Sequence, residues 1–247
     1  MKTKIIKIIL AAVSILYGLQ TYAQEQSQLT EQQKAEEVRI KMDWPNLKKY
    51  QEDNIKIGQP ALGENRVVFM GNSITEGWSN AHPEFFKGKT YVNRGISGQT
   101  TPQMLIRFRQ DVVKLKPKVV LINAGINDIA GNTGLSTLEM IEDNISSMVE
   151  IAKANGIVVI LASVLPAYDF PWRKGLQPAE KVAALNKWMK EYAEKNGHFY
   201  LDYFTSMADE RNGLKSDLTY DGVHPNLAGY KIMEPLAEKV ISQSLEK

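Results

Sequence analysis

The first absence in this 247-residue sequence is cysteine, of which the chain has none. That excludes disulfide cross-links, thiolate metal sites, a cysteine nucleophile and lipidation of an N-terminal cysteine. Histidine is scarce as well, with three residues, His82, His198 and His224. Any reaction that needs an imidazole base must therefore use one of these three side chains.

The chain also lacks a charge excess. Its formal net charge is +2 at pH 7, but Lys2, Lys4 and Lys7 fall in the first 23 residues, which contain no acidic side chain. Removing that segment leaves 27 of the 30 basic side chains against 28 acidic ones. The composition therefore gives no support for nucleic-acid binding. With 43% apolar residues, the chain is suited to one well-buried domain or two small ones.

Long apolar runs are missing except at the N-terminus. A lysine-bearing start precedes an apolar run from Ile5 to Leu16, and Thr21-Tyr22-Ala23 then resembles a small-x-small cleavage site. Spanning a bilayer takes about 20 apolar residues, more than this run supplies. We predict a signal peptide over 1–23, export to the periplasm or beyond, and no stable membrane insertion. A membrane anchor is the alternative interpretation.

From Arg66 onward, short β-branched runs alternate with longer helical patterns, as is typical of βαβ units and a parallel sheet. We predict a polar helical leader over 24–57 and a three-layer α/β/α domain over 58–247. Ligands of such sheets bind beyond the carboxyl ends of the strands. The predicted strands are Arg66–Met70, Tyr91–Asn93, Lys118–Ala124, Ile157–Ser163 and His198–Asp202.

The loops at those strand ends carry the groups needed for nucleophilic catalysis. A serine hydroxyl attacks well when an imidazole takes its proton and a carboxylate fixes the tautomer of that imidazole. Ser73, His224 and Asp221 supply the three groups. His198 begins the last predicted strand, at the opposite edge, and His82 lies in a polar loop, so neither is favoured as the base.

An oxyanion formed by such an attack needs hydrogen-bond donors aimed at it. The candidates are the backbone N–H groups of Ser73 and Gly98 and the side-chain amide of Asn127, all in predicted strand-end loops. Each signal taken alone is ordinary turn chemistry. Their joint occurrence, in this order and at one edge of the sheet, predicts a single site.

Four segments together resemble the conserved blocks of the SGNH hydrolases, also called GDSL-like lipases and acylhydrolases. They are Gly71-Asn72-Ser73-Ile74, Asn93-Arg94-Gly95-Ile96-Ser97-Gly98, Gly125-Ile126-Asn127-Asp128 and Asp221-Gly222-Val223-His224-Pro225. The resemblance spans residues 66–230, and it is greatest to the branch of platelet-activating factor acetylhydrolase subunits and bacterial carbohydrate acetylesterases. One position departs from the pattern, because the family usually has Asp where this chain has Asn72.

The resemblance implies a flavodoxin-like parallel sheet of five strands in the order 2-1-3-4-5. It also implies ester hydrolysis through an acyl-enzyme, with no metal or other cofactor. By the same resemblance Ser73 is the nucleophile, His224 the base and Asp221 its orienting carboxylate, and the oxyanion donors are Ser73, Gly98 and Asn127.

The loop after the fourth predicted strand, residues 165–175, carries three aromatic residues and two cations. Aromatic faces beside an arginine suit sugar rings, and we hypothesise a binding wall made of Tyr168, Trp172 and Arg173, together with Trp78. The alternative is that these aromatics only hold the loop on the core.

Three functions remain open at this point. The first is an exported esterase for short acyl groups, above all acetyl, on carbohydrates. The second is a short-chain lipid or thioester acylhydrolase resembling lysophospholipase or platelet-activating factor acetylhydrolase, which the absence of a long apolar lid disfavours. The third is a non-catalytic glycan-binding protein on the same fold. The predicted partner is a small-molecule or glycan ester, and the sequence does not indicate an oligomeric state.

Overall fold

The computed structural model describes residues 30–247, so the signal peptide predicted over 1–23 lies outside the described residues. The chain forms two compact units, one ending at Asn46 and the other comprising Leu47–Lys247. In the first, helix α1 (Glu31–Met42) begins with a capping box between Thr30 and Gln33. The second unit includes helix α2 (Gln51–Ile57), which the sequence analysis placed in the leader.

A five-stranded parallel sheet forms the centre of the second unit, with strand order β2-β1-β3-β4-β5. This is the flavodoxin-like order, and the predicted α/β fold class is confirmed. The inner strands β1 and β3 are buried throughout because helices cover both faces of the sheet. The strands are β1 (Val67–Gly71), β2 (Tyr91–Gly95), β3 (Val119–Asn123), β4 (Val158–Ala162) and β5 (Phe199–Leu201).

Helices follow the strands in two layers, as right-handed crossovers require. One layer contains α3 (Ser73–Ala81) and α9 (Leu227–Leu245), and the other contains α4 (Thr101–Asp111), α6 (Leu138–Ala154) and α7 (Ala179–Asn196). The helical apolar periodicity of the sequence is confirmed by the buried residues of these helices. Short helices complete the unit at α5 (Ile126–Ile129) and α8 (Phe204–Met207). Over residues 30–247, no helix has the length and apolar character needed to cross a bilayer.

Strand register brings the loops together at one edge of the sheet. Gly71 at the end of β1 lies opposite Gly95 of β2 on one side and Asn123 of β3 on the other. Three of the four segments singled out in the sequence therefore leave the sheet level with one another. The fourth precedes α9, which packs beside α3 in the same layer.

Candidate active site

The three predicted catalytic side chains lie in hydrogen-bond contact. Ser73 Oγ is 2.9 Å from His224 Nε2, and His224 Nδ1 is 2.8 Å from Asp221 Oδ2. An ionised carboxylate can only accept, so Nδ1 carries the ring proton and Nε2 presents its lone pair to the serine hydroxyl. This is the tautomer in which His224 can take the proton of Ser73.

Asp221 is held ionised by its own loop. Its Oδ1 accepts hydrogen bonds from the backbone N–H groups of Val223, at 3.0 Å, and His224, at 2.8 Å. Burial alone would raise the pKa of Asp221, but the hydrogen bonds from the His224 backbone and ring and from Val223 outweigh it and lower that pKa. The Thr219 hydroxyl closes the loop by donating to the His224 carbonyl at 2.7 Å.

Ser73 opens helix α3, and the residue before it forms the helix cap. Asn72 is fully buried, and its Oδ1 accepts from the Ile74 N–H at 3.0 Å. That bond satisfies one of the otherwise unpaired donors at the start of the helix. The Asn72 side chain therefore caps the helix without a negative charge. Its Nδ2 is buried without a hydrogen-bond partner.

Two of the predicted oxyanion donors lie in adjoining loops. The Asn127 amide donates to the Gln99 carbonyl at 3.0 Å, which links the loop after β3 to the residue that follows Gly98. Gly125 makes this turn possible: its φ is +112°, and a Cβ there would lie 2.6 Å from Leu185. Asn127 Nδ2 carries a second N–H that this hydrogen bond does not use, and Gly98 is exposed to solvent.

A buried arginine that the sequence analysis missed connects these loops. Arg107 is fully buried, and its guanidinium donates to the Gly71 carbonyl at 3.0 Å and to Gln99 Oε1 at 2.5 Å. Asp111 neutralises it from one turn along α4, at 3.1 Å. The one signal in the sequence is that position 107 falls on the apolar face of α4, beside Phe108.

Asp128 is a second buried charge that the sequence analysis did not single out. Its carboxylate accepts from the backbone N–H of Thr101 at 3.0 Å and from the Thr101 hydroxyl at 2.6 Å. Burial raises the pKa of Asp128 to about 6, against the effect of these hydrogen bonds. The carboxylate thereby joins the segment that contains Asn127 to the start of α4.

The loop predicted to bind substrate contributes one aromatic ring beside the triad. Trp172 is 44% exposed, and its ring centroid lies 5.8 Å from that of His224. Tyr168 is also exposed, with the Arg211 guanidinium 4.8 Å from its ring centroid. Arg173 has an anchoring contact, since its Nη1 donates to the carbonyls of Ala130 and Gly131.

The prediction that Trp78 contributes to substrate binding is wrong. This side chain is 2% exposed and stacks between Phe85, at 4.7 Å, and Tyr230, at 5.5 Å between ring centroids. It lies one turn along α3 from Ile74, on the face that packs against the core. The two other histidines lie apart from the triad: His82 pairs with Glu234, and His198 stacks on Tyr192.

The chain is similar in sequence and fold to known esterases and lipases. The chain is 28% identical over 184 residues to an acetylxylan esterase of Geobacillus stearothermophilus, covering 70% of this chain and 78% of the relative. It is 25% identical over 172 residues to esterase TesA of Pseudomonas aeruginosa, covering 68% and 79% of the two chains. The crystal structure of a GDSL-like lipase from Bacteroides thetaiotaomicron aligns with a TM-score of 0.80 at 48% identity, over 82% of this chain and 100% of that one.

The sequence profile of the GDSL-like lipase/acylhydrolase family matches residues 69–232, a span that contains all four segments. More than half of the chain is thus accounted for by one family, and the two sequence relatives named above are esterases. The chain therefore belongs to the GDSL-like lipase/acylhydrolase family, the SGNH hydrolases, and is a carboxylic ester hydrolase.

Proposed function

We propose that this protein is an exported serine esterase that removes short acyl groups, above all acetyl, from carbohydrates. The observation that carries the proposal is the continuous hydrogen-bonded series from Ser73 Oγ through the His224 ring to the Asp221 carboxylate. A serine, a correctly oriented imidazole and an ionised carboxylate in that order are the groups that acyl transfer requires.

In the first half of the reaction, Ser73 Oγ attacks the ester carbonyl carbon and its proton passes to His224 Nε2. Asp221 stabilises the imidazolium that forms. The carbonyl oxygen becomes an oxyanion, which accepts hydrogen bonds from the N–H groups of Ser73 and Gly98 and from the Asn127 amide. The C–O bond to the sugar then breaks, and His224 returns the proton to the departing sugar oxygen.

The second half of the reaction releases the acid. His224 takes a proton from a water molecule, whose oxygen attacks the acyl carbon bound to Ser73. The same three donors stabilise the second oxyanion. When it collapses, His224 protonates Ser73 Oγ, the carboxylic acid leaves and the free enzyme is restored. Atoms and protons balance over the two halves, with water consumed and one alcohol and one acid produced.

The preference for a carbohydrate rests on two observations. Trp172 presents an exposed indole beside His224, where the alcohol part of the ester must lie when its oxygen receives a proton. A flat aromatic ring at that position suits the apolar face of a pyranose. The acetylxylan esterase of Geobacillus stearothermophilus is one of the relatives at the level of sequence, which points in the same direction.

The decisive experiment is acetate release from a panel of acetylated xylo-oligosaccharides and other acetylated glycans. Wild type should release acetate, Ser73→Ala should lose activity to background, and Ser242→Ala, an exposed serine on α9, should match wild type. Nitrophenyl acetate, butyrate and octanoate measured in parallel separate the acyl classes. A rate that rises with chain length would favour the short-chain lipid or thioester acylhydrolase, and equal rates for wild type and Ser73→Ala would favour the non-catalytic glycan-binding protein.

Export is the remaining part of the proposal, and it rests on the lysine-bearing start, the apolar run and the Thr21-Tyr22-Ala23 site of the sequence. N-terminal sequencing of the protein recovered from the periplasm or medium of an expressing bacterium should begin at Gln24. Recovery of the whole chain from the membrane fraction, with residues 1–23 retained, would instead support the anchor.

A further inference from the structure

Glu76 connects the helix of the nucleophile to the loop of Gly98. It lies on α3 one turn after Ser73, and its Oε2 accepts hydrogen bonds from the Ser97 N–H at 2.7 Å and the Ser97 hydroxyl at 2.5 Å. Its other oxygen pairs with Lys49. Since Ser97 immediately precedes Gly98, the carboxylate holds the peptide next to a proposed oxyanion donor.

The backbone before Ser97 also lies tightly against α3. A Cβ on Gly95 would come within 2.1 Å of the Glu76 backbone nitrogen, so only glycine allows this approach. On one side of Gly95, Asn93 Nδ2 donates to the Thr75 carbonyl at 2.5 Å, and on the other, the Ile96 N–H donates to the Gly71 carbonyl at 3.1 Å. The backbone that leads from β2 towards Gly98 is thus held on the end of β1 and on the first turn of α3.

We propose that Glu76 is a positioning residue for oxyanion stabilisation: by holding Ser97 on the helix that begins with Ser73, it fixes the Gly98 N–H relative to the nucleophile. The proposal rests on the proposed function, because it assigns Gly98 as an oxyanion donor. Glu76 does not touch the substrate. Its effect is on the geometry of a donor, where small displacements have large effects on the rate.

Lys49 extends this support to the segment Leu47–Ile57. Its ammonium pairs with Glu76, and the hydroxyl of the neighbouring Tyr50 donates to the Gly95 carbonyl. The Arg94 guanidinium, which pairs with Asp53 at 2.7 Å, lies 4.5 Å from the Tyr50 ring centroid. The segment ahead of the first strand therefore supports the Gly98 loop from outside the sheet.

An ionised carboxylate is needed for these contacts. Burial alone would raise the pKa of Glu76, but the hydrogen bonds from Lys49 and Ser97 outweigh it and lower that pKa, so the side chain is charged at neutral pH. Charge-assisted hydrogen bonds are roughly twice as strong as neutral ones. Glutamine at this position would keep the shape but would present an N–H group either to Ser97 or to Lys49.

The test compares Glu76→Gln, Ser97→Ala and Lys49→Met with two controls on exposed helical positions, Glu150→Gln and Lys190→Met. For each, kcat and KM are measured with nitrophenyl acetate. The inhibition constant of phenylboronic acid is measured as well, because its tetrahedral adduct on the serine reproduces the oxyanion. Thermal unfolding of every variant shows whether the fold is intact.

For Glu76→Gln we expect kcat to fall about 10- to 100-fold, less than or equal to the effect of losing one oxyanion donor, with KM within about twofold of wild type. The inhibition constant of the boronate should rise by the same factor as kcat falls. Ser97→Ala combined with Glu76→Gln should cost no more than Glu76→Gln alone, since both changes break one contact. Lys49→Met should give a smaller fall in kcat, and both controls should match wild type.

An unchanged kcat and boronate affinity in Glu76→Gln, or a raised KM with kcat unchanged, would overturn the proposal. If Glu76→Gln does not fold, Ser97→Ala and Lys49→Met, which change exposed residues, decide it by the same two readouts. Failure here is separable from failure of the proposed function. An inactive Ser73→Ala beside a fully active Glu76→Gln overturns the role of Glu76 alone, whereas a fully active Ser73→Ala overturns both.

Discussion

The contact between Asp221 and His224 predicts how far kcat falls when the carboxylate of Asp221 is replaced by an amide. In Asp221→Asn, the amide oxygen can still accept from the backbone N–H groups of Val223 and His224, so the loop keeps its shape. The amide nitrogen then faces His224 Nδ1, which must become an acceptor. The ring proton moves to Nε2, the atom that has to accept the proton of Ser73.

In a buried triad the equivalent loss of the correct tautomer lowers kcat about 10⁴-fold. Here the side chains of His224 and Asp221 are 33% and 32% exposed, so water replaces part of the lost stabilisation of the imidazolium. We therefore expect kcat for nitrophenyl acetate to fall about 10³-fold at neutral pH, with little change in KM. The thermal midpoint should stay close to that of wild type.

Asp143→Asn, at an exposed position on α6, is the matched control and should retain full activity. The assay is steady-state hydrolysis of nitrophenyl acetate, together with thermal unfolding of the three proteins. A kcat for folded Asp221→Asn within tenfold of wild type would refute the assignment of the tautomer and, with it, the role of His224 Nε2 as proton acceptor.

Three further predictions concern the proposed substrate contact of Trp172, the buried carboxylate of Asp128 and the requirement for a metal ion. Trp172→Ala should raise KM for an acetylated xylo-oligosaccharide about tenfold, the equivalent of one aromatic contact, while nitrophenyl acetate kinetics stay near wild type; an unchanged KM on the glycan would contradict the stacking role. Because burial raises the pKa of Asp128 from 3.8 to about 6, ionisation of Asp128 disfavours the folded state. The stability of wild type relative to Asp128→Asn should therefore be greatest below pH 4 and should decline by about 3 kcal/mol as pH rises through 6. Urea unfolding at pH 4 and pH 7 measures that difference, and equal differences at both pH values would contradict the burial argument. Incubation with EDTA should leave esterase activity unchanged, because the proposed serine, imidazole and carboxylate supply the nucleophile and the proton transfers without a metal ion; loss of activity that added metal restores would show a metal requirement.

The sheet and the four loop segments could be predicted from the sequence because their signals are local. Apolar runs such as Val119–Asn123 have the length and composition of a buried strand, and parallel strands end at one edge, which brings Ser73 near the loop of Gly98. The assignment of Trp78 to the substrate site was wrong, and the sequence itself contains the signal that contradicts it. Ile74 and Trp78 are four residues apart on α3, and the helical period places both on the buried face.

The contacts that hold the loops in place could not be predicted in this way. Arg107 and Gly71 are 36 residues apart, and no periodicity pairs a guanidinium with a particular carbonyl. The same is true of Glu76 and Ser97, whose contact depends on how closely β2 approaches α3. Such contacts are set by the packing of whole elements, and a single sequence records only that a polar residue stands at a position where an apolar one is expected.

The separation of Ser73 and His224 illustrates how that packing serves the chemistry. The two residues are 151 positions apart in the chain, one at the start of α3 and the other in the loop ahead of α9, so their distance depends on how those two helices pack. The Tyr230 hydroxyl on α9 donates to the Ile74 carbonyl at 2.9 Å, and the Tyr230 ring stacks on Trp78. Trp78 Nε1 donates a hydrogen bond to Glu234 Oε1 on α9 at 3.3 Å. Trp78 is therefore a core residue that helps to fix α9, which follows the loop of His224, against α3, which begins with Ser73.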